Sequence, residues 1–129
     1  MRVGVVSVCA GNTGSVRNAL RRLGMDWVNI AHPSDARGLD ALILPGVGHF
    51  GAVMELLRKS EMDEMVVEWV RNDKPFLGIC IGMQVLFEGS EEAPEVQGLG
   101  LLPGQVVRFR ADRLPQMGFN RVRFCRWTA

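Results

Sequence analysis

The sequence predicts an α/β fold: a parallel sheet with helices packed on both of its faces. Three observations carry that expectation. Short runs rich in valine, isoleucine and leucine ("RVGVVSV", "ALIL", "PFLGI") lack polar alternation, as strands buried on both faces require. Stretches with apolar residues at helical spacing lie between them. The runs also end in glycine-bearing corners, "CAGNTGS", "PGVGHFG" and "GICIG", where parallel α/β sheets place their ligand sites.

Taken in order, residues 2–8 read as a first strand entering a Gly/Asn/Thr loop. A helix follows, with Ser15 as its expected N-cap, Val16, Ala19, Leu20 and Leu23 as its apolar stripe, and Gly24 as its stop. Residues 27–30 and 41–44 are expected as the second and third strands, the latter ended by Pro45-Gly46. Two helices are expected over 50–59 and 62–72, the second with Met62, Met65, Val66, Trp69 and Val70 on one face. Residues 75–79 make a fourth strand and 81–87 open another helix. The polar run 88–98 reads as a loop. Residues 105–109 and 119–124 alternate like strands with one exposed face, a hairpin-like excursion from the earlier rhythm.

Composition narrows the function. A chain of 129 residues with a hydrophobic fraction of 47% is expected to form a single domain over residues 1–129. Fifteen basic residues against fourteen acidic ones leave a net charge of +1, so no overall field draws nucleic acid or anionic membrane. Arg108, Arg110, Arg113, Arg121, Arg123 and Arg126 cluster late, either as a solvated, ion-paired face or as a patch for phosphate or an acidic protein. The cysteines Cys9, Cys80 and Cys125 have neither CxxC nor Cys/His metal spacing, so no disulfide framework, metal site or cofactor is expected. The N-terminal apolar run is too short for a membrane span and reads as a strand, not a signal peptide. The cytoplasm is the expected compartment.

The chemistry concentrates at "GICIG". A strand that runs into a helix through one residue forces that residue into a strained backbone conformation, and side chains two positions either side would collide. Gly78 and Gly82 remove the collision, which makes Cys80 the expected catalytic nucleophile at the start of a helix, where unpaired N–H groups favour negative charge. The alternative is a buried cysteine serving as a small hydrophobe. Acyl transfer to a thiolate also needs donors for the developing oxyanion. The amide of Ile81 and the Val47 or Gly48 peptide are the expected pair, since glycines in "PGVG" let main chain approach a substrate closely. Gln84, one turn beyond Cys80, is placed to hydrogen-bond a substrate amide.

"PFLGICIGMQVLFEGSEE", "LPGVGHFG", "AGNTGSVRNALRRLG" and "LPQMGFNRV" together resemble the class I (triad) glutamine amidotransferases, in particular the glutaminase subunits of imidazole glycerol phosphate synthase. The resemblance spans nearly the whole chain. It implies the flavodoxin-like amidotransferase fold, hydrolysis of glutamine through a γ-glutamyl thioester on Cys80, and passage of ammonia to a (β/α)8-barrel cyclase of histidine biosynthesis in a heterodimer. It further implies that Gly46, Gly48 and Gln84 hold glutamine, and that Asn12, Met117, Phe119 and Asn120 face the cyclase. Ser7 and Val8 stand where the family usually has an aspartate and an aromatic residue, and Phe119 where it has tryptophan.

A thiolate attacking a carboxamide needs a proton carrier, because ammonia leaves poorly unless protonated. The family supplies it from a late His-Pro-Glu segment, whereas this sequence holds only His32 and His49, both before Cys80 and both read as loop residues. The sequence therefore reads as an amidotransferase domain incomplete at its C-terminus, carrying the nucleophile half of the triad and inactive alone. Three other readings stand beside it. The loop "SVCAGNTGS" resembles a phosphate-cradling loop of flavin-binding proteins, against which the absence of tyrosine counts. A cysteine hydrolase with a base recruited from a second chain and a non-catalytic cyclase-docking module are the others.

Overall fold

The computed structural model describes residues 1–7, 13–110, 118–121 and 123. Four strands, β1 (Arg2–Val6), β2 (Asp26–Ile30), β3 (Ala41–Gly46) and β4 (Phe76–Cys80), form one sheet in the order β2-β1-β3-β4. Every pairing in it is parallel. Helix α1 (Thr13–Arg22) links β1 to β2, a 3-10 turn (Pro33–Ala36) links β2 to β3, and α2 (Phe50–Lys59) and α3 (Met62–Arg71) link β3 to β4. The chain thus winds away from β1 in one direction through α1 and in the other through α2 and α3. Because such crossovers are right-handed, reversing direction moves the helices to the opposite face. Both faces are covered for that reason.

The strand side chains divide accordingly. Val6, Ile30, Leu42 and Leu44 point into a core with Phe50, Val53, Met54 and Leu57 of α2 and with Met62 and Trp69 of α3. Val3, Val5 and Ile43 point the other way, against Leu20 of α1. Gly4 stands between Leu42, Leu39 and Ile30, where a Cβ would lie 2.6–2.9 Å from their side-chain carbons. The indole N–H of Trp69 bonds the Pro75 carbonyl at 3.0 Å, tying the end of α3 to the entry of β4, and the Lys74 ammonium lies 4.3 Å from the centre of its ring.

Several boundaries differ from the expectation. Helix α1 begins at Thr13, so Ser15 lies inside its first turn and is not the N-cap. Gly24 does close it, at φ 65°, with the N–H of Gly24 bonded to Arg21 and that of Met25 to Leu20. The helix expected over 81–87 is one turn only, α4 (Ile81–Gln84). Phe87 and the first part of the expected polar loop form a strand instead, β5 (Phe87–Ser90), which pairs in parallel with β6 (Leu102–Val106). The carbonyls that would continue α4 are taken by the returning chain: Leu99 N–H bonds Val85, and those of Leu101 and Leu102 bond Leu86. β6 begins earlier than expected and ends at Val106. Its partner is β5, not the expected hairpin strand, and of residues 119–124 the described Phe119–Arg121 and Arg123 lie outside any strand.

Leu57 and its neighbour Leu56 test this arrangement, being 0% and 41% exposed. Leu57→Ala is expected to lower the unfolding free energy by about 2–5 kcal/mol, and Leu56→Ala by about 0.5 kcal/mol. Urea unfolding followed by tryptophan fluorescence checks both.

Candidate active site

β4 passes into α4 without a linker: Cys80 ends the strand and Ile81 begins the helix. Cys80 makes the corner at φ 55° and ψ −116°, a conformation that costs a residue with a side chain about 1–3 kcal/mol. The surroundings explain why it is held there. A Cβ on Gly78 would stand 2.5 Å from the Gly82 carbonyl oxygen and 2.7 Å from Met83 Cα. One on Gly82 would overlap the Leu44 carbonyl, main chain inside β3 that cannot swing aside. Both glycines expected from the spacing are therefore required, and the second lets α4 sit directly on β3. The thiol at this corner is free and exposed. Only one turn of aligned peptides stands behind it, so electrostatic help comes from the first-turn N–H groups, which have no intrahelical acceptor, more than from a long helix dipole.

The second glycine corner adjoins the first through strand register. Gly46 is the ladder partner of Cys80, and Pro45 that of Ile79. From buried Gly46 the chain emerges at Val47, which is 57% exposed, and turns through Gly48 at φ 135°. The far end of the corner is anchored at the N-terminus of α2. Phe50 N–H donates to the Glu92 carboxylate at 2.7 Å, and Gly51 N–H donates to His49 Nδ1 at 3.2 Å. Glu92 is held in turn, its N–H bonded to the hydroxyl of buried Ser90 at 3.2 Å. A segment fixed at one end by the sheet and at the other by a helix cap is preorganised, as an oxyanion site must be.

Gln84 closes α4 and lines a cavity of about 460 Å³ with Ser90, Glu91, Glu92, Val106, Val107 and Arg108. The cavity brings carboxylates and a guanidinium together. Glu92 was not among the residues the sequence singled out, because it sits in an acidic run that reads as a solvated loop, 42 positions from the amide it holds. His49 is exposed and caps α2 through Nδ1; His32, also exposed, opens the 3-10 turn, where its N–H bonds the Asp35 carboxylate at 2.9 Å. Bonds from the His32 and Ala31 amides hold the Asp35 carboxyl below the usual range. Of the residues expected to face a cyclase, Phe119 and Asn120 are exposed, and Asn12 and Met117 lie outside the described residues. Cys9, Cys125 and most of the "SVCAGNTGS" loop also lie outside them.

Residues 18–124 match the family of CobB/CobQ-like glutamine amidotransferase domains. The chain belongs to the glutamine amidotransferase family. It is 48% identical over 124 residues to imidazole glycerol phosphate synthase subunit HisH of Thermus thermophilus, a match covering 96% of this chain and 63% of the relative. It is 47% identical to the chloroplastic imidazole glycerol phosphate synthase hisHF of Arabidopsis thaliana over 86% of this chain and 19% of that one. Among solved structures it is similar to one described as a glutamine amidotransferase, with a TM-score of 0.74 and 29% identity over 87% of this chain and 59% of that one. The chain thus spans under two thirds of the length of the HisH relatives it matches. The amidotransferase fold expected from the sequence, a parallel sheet between helices, is the one observed.

Backbone strain at the elbow gives a stability test. Cys80→Gly is expected to be about 1 kcal/mol more stable than Cys80→Ala, since glycine alone adopts the corner conformation freely. Gly82→Ala is expected to lose more than about 2 kcal/mol and to slow alkylation of Cys80 by displacing α4. Paired urea titrations and thiol-labelling rates check these outcomes.

Proposed function

We propose that this chain carries the nucleophile part of a glutaminase subunit of imidazole glycerol phosphate synthase, hydrolysing glutamine to glutamate and ammonia for a barrel cyclase of histidine biosynthesis. The observation that carries the reading is the exposed Cys80 at φ 55° between two obligatory glycines, with Gly46 of the "PGVG" corner as its ladder partner. The HisH names of relatives 40–48% identical to the chain support the subtype.

The chemistry follows from that geometry. The Cys80 thiolate adds to the side-chain carbonyl carbon of glutamine, and the C=O electron pair moves to oxygen. The Ile81 N–H and the Val47 or Gly48 peptide N–H stabilise that oxyanion, each worth about 2.7–4 kcal/mol in sites of this type. Collapse of the tetrahedral intermediate expels ammonia once its nitrogen is protonated and leaves the γ-glutamyl thioester, which water then hydrolyses. The cavity beside Gln84 suits the rest of the substrate, since a free amino acid presents an ammonium to carboxylates such as Glu91 and Glu92 and a carboxylate to Arg108. Gly46 and Gly48 leave room for the substrate at the corner. Asn12, Met117, Phe119 and Asn120 are read as the cyclase-facing side of a heterodimer. An exposed nucleophilic thiol persists only in reducing surroundings, which favours the cytoplasm.

What these residues do not supply is the proton. His49 spends Nδ1 on the α2 cap, and His32 belongs to the 3-10 turn between β2 and β3. Losing the proton-carrying members of a triad removes about 10⁴–10⁶ of the rate in hydrolases of known mechanism. The 129-residue polypeptide alone is therefore expected to be labelled at Cys80 by a glutamine-mimicking electrophile, in preference to Cys9 and Cys125, yet to release no sustained glutamate. Glutamate release is measured with and without the barrel cyclase and its nucleotide ligand. Labelling that favours Cys9 or Cys125 sinks the nucleophile assignment. Sustained turnover lost in Cys80→Ala and in His49→Ala would make His49 the proton carrier; turnover that survives both His49→Ala and His32→Ala would point to another group.

A further inference from the structure

The glutamates from β5 onward hold main chain. Glu88 accepts the Gly104 N–H at 2.9 Å, Glu91 the Arg108 N–H at 2.8 Å and Glu92 the Phe50 N–H at 2.7 Å. The first two fasten β6 and the chain just beyond it beside β5, whereas the third reaches across to α2. Glu92 is itself placed by a turn rooted in the β5/β6 pair: Glu91 N–H bonds the Val106 carbonyl, Ala93 N–H the Ser90 carbonyl and Glu92 N–H the Ser90 hydroxyl. Buried Ala93 seats that turn on the start of α2, where Gly51 leaves it room; a Cβ on Gly51 would stand 3.3 Å from that of Ala93. The donor is held as firmly, since the Phe50 side chain is fully buried in the core.

From this we infer that Glu92 is a positioning residue for acyl transfer to Cys80, acting through the Phe50 amide on the "PGVG" corner; the inference rests on the oxyanion role proposed for that corner. Gly46 is fixed in the ladder with β4 and the Phe50 amide is fixed by Glu92, so Val47, Gly48 and His49 bridge two anchors. Gly48 does not steady the bridge, for it stands at φ 135° and a Cβ there would meet only Val53, at 3.7 Å. The Phe50 N–H is one of the first-turn amides that a helix leaves without an intrahelical acceptor, and a carboxylate at 2.7 Å is a short, charge-assisted partner for it. Without that acceptor the His49–Phe50 peptide loses its fixed orientation, and with it goes the direction in which the Val47 and Gly48 amides point. What the corner takes from Glu92 is an acceptor oxygen, so glutamine at this position serves largely as well.

The test separates acyl transfer from plain thiol reactivity on the 129-residue chain, with both reactions read at Cys80 by peptide mass spectrometry. With p-nitrophenyl acetate the thiolate adds to the ester carbonyl through an oxyanion, the bond to the aryl oxygen breaks, nitrophenolate leaves without a proton and the acetyl thioester remains. This probe needs no proton carrier, and it has neither ammonium nor α-carboxylate, so a contact between Glu92 and a bound amino acid cannot influence its rate. Iodoacetamide alkylates the same sulfur by displacing iodide and forms no oxyanion. The ratio of acylation to alkylation, set against that of a cysteine peptide, therefore measures what the corner contributes. Glu92→Ala is expected to lower the ratio about 10-fold or more with the alkylation rate unchanged, and Glu92→Gln to restore most of it. Glu92→Asp, one methylene short of the Phe50 amide, is expected to show the same loss where the alanine variant does not fold. A ratio unchanged in Glu92→Ala, or a Glu92→Gln variant as poor as Glu92→Ala, overturns the inference while the oxyanion corner stands. A ratio for the unsubstituted chain no higher than the peptide's sinks the oxyanion reading itself, and the inference with it.

Discussion

At Gly82 the main chain of α4 lies against the Leu44 carbonyl with no side chain between them, and the geometry of the thiol follows from that contact. Because α4 seats directly on β3, it must begin where β4 stops, which leaves one residue to make the turn. That residue is Cys80, and its positive φ is the conformation the turn demands. The same seating brings Gly82 back over Gly78, so the strand side of the corner must lack a Cβ as well. A strained cysteine is stable here because its neighbours are fixed independently: Leu44 is fully buried, and the ladder from Leu42 to Gly46 holds β4 in register. The strain is local; what resists it is spread over the sheet.

The register then sets the second half of the site. Parallel strands that end level with one another bring their following loops together, and β3 and β4 end level because Gly46 and Cys80 are partners. Reversal of winding direction at β1 makes this end of the sheet a topological switch point, where connections diverge to opposite faces and leave a crevice. A crevice alone would leave the "PGVG" corner free to move. The Phe50 amide on the Glu92 carboxylate and the His49 cap limit that freedom, so the turn after β5 takes part in shaping the "PGVG" corner some forty residues earlier in the chain.

Much of this was legible in the sequence where the determinants are local. α2 has the bounds its stripe predicts, because its apolar residues keep helical spacing to Lys59, whereas β3 runs on through Pro45 and Gly46, the pair expected to end it, because both stay in the ladder with β4. The elbow was legible because glycines at two positions either side of a cysteine have a steric meaning that needs no partner. β5 was not, since "FEGS" has the composition of a turn and becomes a strand only by pairing with β6. The short α4 escaped for a related reason: "IGMQVLF" has helical character throughout, and what ends the helix is capture of the Val85 and Leu86 carbonyls by Leu99, Leu101 and Leu102. Glu92 belongs with these cases. A carboxylate becomes a helix cap through tertiary approach, and an acidic run carries no sign of which member will make it.

The same distinction separates the two halves of the chemistry. In the proposed reaction the nucleophile and its oxyanion donors come from neighbouring segments, the residue after the elbow for one N–H and the adjacent strand's loop for the other. The proton carrier of the proposed reaction is a separate requirement. It has to reach the leaving nitrogen, and main-chain amides donate hydrogen bonds without giving up a proton. His49, inside the corner, is engaged with the Gly51 amide on the side proposed to bind the oxyanion. A stretch of chain can therefore hold a fully formed elbow, strained and exposed, without holding the group that the proposed reaction needs to expel ammonia.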